Sequence, residues 1–93
     1  MEQQNQIRIK AIDEDLKGRY ANLVQITSVK EEFLLDFLLL SPFQGMLVSR
    51  VLMSPGHAKR MAKVLQEQVD KYESSFRKIE EAEAPESKIG FGV

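Results

Sequence analysis

The sequence predicts an α+β fold: a four-stranded antiparallel sheet (β-β-β-β-α) with one long C-terminal helix packed on one face. Three observations predict it. Two apolar runs of strand length flank the turn formers Ser41, Pro42 and Gly45 in the stretch Phe33 to Met53. Two shorter stretches of strand character precede that hairpin. After Met53 the apolar residues switch to a spacing of three and four, the period of a helix.

Taken in order, residues 1–5 are expected to fray. Ile7 and Ile9 alternate with Arg8 and Lys10, which predicts a short strand with one buried face. Asp13 to Arg19 reads as a charged connection containing a glycine, and Tyr20 to Ser28, rich in aromatic and β-branched residues, as the second strand. Val29 to Glu32 turns the chain into the hairpin. Ser54 suits a helix N-cap and Pro55 the first helical position, where a missing N–H costs nothing. Ala58, Met61, Ala62, Leu65, Val69, Tyr72 and Phe76 then form one apolar stripe on a helix predicted to end near residue 78. One domain is expected over 1–79, with an acidic, flexible tail over 80–93. The last five residues, IGFGV, are apolar for a tail.

If Leu40 faces Met46 across the turn, side chains of the hairpin divide by parity. Asp36 then lies opposite Arg50, a cross-strand ion pair that fixes register and interrupts an aggregation-prone apolar run. The even face also carries Leu34, Leu38, Leu40, Met46, Val48 and Leu52. One helix covers one face, and the uncharged odd face suits it better. Six large side chains left wet would each forfeit roughly 1.5–3 kcal/mol, a sum comparable with the whole stability of a small domain. The even face is therefore the expected dimer face, closed by a second copy of the chain. A protein partner is the functional form of the same inference.

Composition excludes more than it selects. The 93 residues carry a formal net charge of −1, divided into −3 over 80–93 and +2 over 1–79, too little to predict nucleic-acid binding from bulk charge. With no cysteine there is neither a disulfide nor thiol catalysis. The polar start lacks a secretory apolar core, so a cytoplasmic location is expected. No membrane span is expected either, because Asp36 and Arg50 charge the apolar stretch and Pro42 and Gly45 break it. A single histidine, His57, and the lack of any phosphate loop or ligand cluster argue against an enzyme, a cofactor or a metal. The one local anomaly is the helix start: Ser54, His57, Lys59, Arg60 and Lys63 place positive charge where the helix dipole is already positive, a candidate anion or nucleic-acid-backbone site. The plainer reading is that Lys59 and Arg60 are solvated and Lys63 pairs with Glu67.

The segments YANLVQI (20–26), EFLLDF (32–37), SRV (49–51), SPGHAKRM (54–61) with Leu65, and YESSFRKI (72–79) together resemble the small prokaryotic proteins grouped as domain of unknown function 3467. The resemblance covers residues 7–79 and implies fold limits but no activity or catalytic residue. Members often carry glycine after the phenylalanine near the helix end. Arg77 stands there instead, so the helix is expected to run on. The element order is also similar in layout to export chaperones of the SecB type, which implies client binding as an alternative. The function expected is that of a non-enzymatic interaction or regulatory module, acting as a homodimer that binds a protein partner.

Overall fold

A computed structural model describes residues 6–85 and 89–91; the expected frayed start, residues 1–5, lies outside them, as do parts of the expected tail. A short helix α1 (Asp13–Lys17) precedes the strands β1 (Leu23–Ser28), β2 (Phe33–Leu40) and β3 (Gly45–Met53), and the helix α2 (Pro55–Ser75) follows. The sheet has three antiparallel strands in the order β1-β2-β3, not the four expected. The expected first strand, around Ile7 and Ile9, pairs with nothing among the described residues, and those two side chains are 86% and 81% exposed. Alternation shows that a segment could be half buried, but a strand also needs an edge within reach. Here the connection to β1 is not a tight turn. It is the single helical turn α1, closed by Gly18 at φ 76, a conformation other residues adopt only with strain.

The hairpin turn is tied by Ser41, whose N–H donates to the Gln44 carbonyl at 2.8 Å and whose hydroxyl accepts from the Gln44 N–H at 3.2 Å. From Phe33 to Phe37 the strands pair as parity requires, with Phe37 opposite Ser49. The register then shifts, so that Leu38 faces Leu47 and Leu40 faces Gly45 instead of Met46. Val48 is the extra residue of this bulge, which moves Leu47 onto the face of Leu38 and Leu40 and sends Met46 to the opposite one. Gly45 permits the close approach, since a Cβ there would lie 2.7 Å from Cδ2 of Leu40.

On the other side of β2, Asn22 extends the ladder past the end of β1. Its side-chain amide donates to the Leu40 carbonyl at 2.9 Å, and its carbonyl accepts from the Leu40 N–H at 2.8 Å. A side chain here does the work of a strand residue.

Helix α2 starts as its sequence requires: the Ser54 hydroxyl accepts the His57 N–H at 3.2 Å and Pro55 occupies the first position. It does not run on past Arg77. The ladder ends at Phe76, whose N–H reaches the Tyr72 carbonyl at 2.8 Å, and the Glu73 carboxylate then accepts the Ile79 N–H at 2.9 Å, turning the chain back onto the last turn. This contact does the stopping that glycine would otherwise do.

The core is small. Among the described residues the buried apolar side chains are Leu35, Leu38 and Ala58. Only the start of α2 contributes to it, with Ala58 buried and Met61 half-buried, while Leu65 is 60% exposed and Phe76 74%.

Candidate interaction surface

Two residues of like parity on adjacent strands build an ion pair in the middle of the sheet. Asp36 is 4% exposed in the middle of β2, and Arg50 stands opposite it on β3. Arg50 Nε donates to Asp36 Oδ1 at 2.6 Å and Nη2 to Oδ2 at 3.0 Å, a two-pronged pair that leaves no buried side-chain polar atom without a partner among the described residues. The hydrogen bond to Asp36, then its charge, raises the Arg50 pKa above its ordinary value. A raised basic pKa stabilises at every pH below the unfolded value, so the arginine stays charged throughout the range in which the protein would be handled.

The same guanidinium carries an aromatic ring from the tail. The Phe91 ring centroid lies 5.4 Å from the Arg50 Cζ, and Ile89 is half-buried beside it. The end of the described tail therefore docks on the even face. Together with Pro85 it forms one wall of a cavity of about 760 Å³ whose other wall is the hairpin end, including Leu38, Leu40, Phe43 and Leu47. Phe43 stands at the turn, 96% exposed, and Met46 is 60% exposed. The lining is mainly apolar, with Leu38, Leu40, Leu47 and Phe91 around it, which suits apolar anchors of a ligand. Among the described residues no group of three or more His, Cys, Asp or Glu is placed to hold a metal ion.

The even-face set named from sequence is divided by the bulge. Leu34, Leu38, Leu40 and Leu52 share the face of Asp36; Met46 does not, Val48 is the bulge residue, and Leu47 joins instead. At the helix start, Ser54 is engaged in capping and Arg60 Nη2 lies 3.2 Å from His57 Nδ1. Lys63 makes no ion pair with Glu67: among the described residues the two ion pairs are Lys17–Glu14 and Arg50–Asp36. Lys59 and Lys63 are exposed. Sequence reasoning missed Asn22 and the docking of Ile89 and Phe91. The only signal for the docking was the apolar character of the terminal residues.

The model of a family described as a protein of unknown function (DUF3467) matches residues 1–81. The chain belongs to the DUF3467 family. No curated protein and no solved structure matches it. The match spans all three strands and α2 but stops before Ile89 and Phe91, so the docked tail lies outside the region that defines DUF3467. No helix among the described residues is long and apolar enough to cross a membrane.

Proposed function

We propose that this DUF3467 protein is a non-enzymatic interaction module that acts as a homodimer in the cytoplasm and binds a protein partner. One observation carries the reading. Large apolar side chains of the sheet and α2 stand open to solvent: Ile26, Met46, Leu52 and Leu65 are each more than half exposed. A second copy is the most economical cover, and the hairpin-end cavity is left for the partner.

Light scattering and sedimentation over a wide concentration range test this. A mass of twice the 10.6 kDa chain at all but the lowest concentrations is the expected result. A monomer throughout would refute the homodimer. A monomer that holds unfolded chains of unrelated sequence in solution would favour the client-binding alternative.

A further inference from the structure

The apolar stripe of α2 has a regularity that a helix destined only to cover its own sheet does not need. Ala58, Ala62, Leu65, Val69, Tyr72 and Phe76 follow one another at four, three, four, three and four residues, the seam of a coiled coil. From Ala62 onward most of this seam is open. Ala62 is exposed, Leu65 is 60%, Tyr72 41% and Phe76 74% exposed, and Val69 is half-buried. The seam is also graded, with small residues at its start and aromatic ones at its end, where the Tyr72 and Phe76 rings lie 5.0 Å apart.

A parallel pair would stack alanine on alanine and aromatic on aromatic. An antiparallel pair sets Ala62 against Tyr72 and Leu65 against Val69, so that layer volumes even out. Charge selects the same direction. The residues beside the seam on one side, one heptad apart, are Lys59, Gln66 and Glu73. Antiparallel packing brings Lys59 of one helix to Glu73 of the other at both ends; in a parallel pair Glu73 would face Gln68 and gain no charged partner.

We infer that α2 pairs antiparallel with α2 of a second copy, with the twofold axis near residue 67 and Leu65 packed on Val69 across it. The inference rests on the homodimer reading and assigns its surface. It leaves the hairpin-end cavity open.

The chain has no cysteine, so single thiols report on this geometry directly. Full-length Leu65→Cys and Val69→Cys proteins are mixed in equal amounts and oxidised. A disulfide joining the two variants in excess over either self-linked product is expected, because facing residues of an antiparallel layer come within the ~4.4–6.8 Å Cα separation that a disulfide needs. Ser74→Cys, on the far side of the helix, should not cross-link. Leu65→Asp should weaken the dimer by roughly thirtyfold or more, as for a central anchor of an interface. Its circular dichroism should match that of the unaltered protein at concentrations high enough for both to be dimeric, since Leu65 is exposed within the chain. A dimer that is indifferent to Leu65→Asp and gives no mixed disulfide overturns the α2 seam and leaves the homodimer standing. Preferred self-linking of Leu65→Cys overturns the antiparallel direction. A wild-type chain that stays monomeric overturns both readings.

Discussion

Dilution should unfold this protein. Among the described residues its buried apolar side chains are Leu35, Leu38 and Ala58, and burying two leucines supplies about 3–6 kcal/mol before any ordering cost is set against it. A chain of 93 residues ordinarily reaches a net stability of roughly 5–14 kcal/mol from a core several times larger. On the homodimer proposal the missing burial comes from association, and folding and dimerisation should then form one transition from folded dimer to two unfolded chains. Its free energy then depends on concentration, by about 2.7 kcal/mol for each hundredfold change. With a urea dependence of about 2–3 kcal/mol per molar, the midpoint should rise by about 1 M between roughly 1 and 100 µM protein. Far-ultraviolet circular dichroism against urea at the two concentrations measures this. Coincident curves would mean that the single chain is stable on this small core, and the argument from burial would fail even if a dimer were seen by mass.

Three further outcomes are expected. Arg50→Ala should lower the melting temperature by several degrees, because it strands the Asp36 carboxylate at 4% exposure, and Asp36→Asn added to it should restore part of the loss; an unchanged melting curve would show that the pair does not support the fold. Ser54→Ala should cost about 1 kcal/mol in urea titration through loss of the cap on the His57 N–H, whereas Ser74→Ala should cost much less. Truncation after Ile79 should leave circular dichroism intact yet increase binding of an apolar fluorescent dye, since Ile89 and Phe91 no longer wall the hairpin-end cavity; equal dye binding would mean that the tail does not occupy that face in solution.

What the sequence made legible is what is decided over a few residues. The turn at Ser41 to Gln44, the cap at Ser54 and the helical period after it depend on local chemistry, and all could be read directly. Asp36 meets Arg50 because both lie on the turn-distal side of the bulge, where simple parity still holds. Met46 was misplaced because it lies on the turn side, and nothing in Leu47-Val48-Ser49 marks Val48 as the residue to be looped out. Helix α1 has five residues and no apolar period, too short to show in a pattern. The strand expected around Ile7 failed for the opposite reason: its pattern is clear, but no strand edge among the described residues receives it. Asn22 acts through its side-chain geometry and the Glu73 stop through a residue six positions on, so neither has a composition signature. The family resemblance limited the fold and, with DUF3467 lacking an assigned activity, could add no site.

The two open apolar surfaces differ in what the chain itself does with them, and that difference suggests how each is used. Among the described residues the centre of the α2 seam is largely open, with Leu65 60% exposed and Val69 half-buried. An open seam keeps most of its apolar area as a driving force for pairing, which suits the proposed contact between copies. The hairpin-end cavity is already partly occupied by Ile89 and by a Phe91 that is itself 57% exposed. A partner entering there must displace the tail, but a half-covered aromatic on an exposed guanidinium is held weakly, so the displacement costs only part of what a fresh contact returns. On the proposed function such a surface would bind reversibly and favour partners whose apolar anchors fill the cavity better than the tail does. On this reading the helix keeps two copies together and the tail sets the threshold for what they bind.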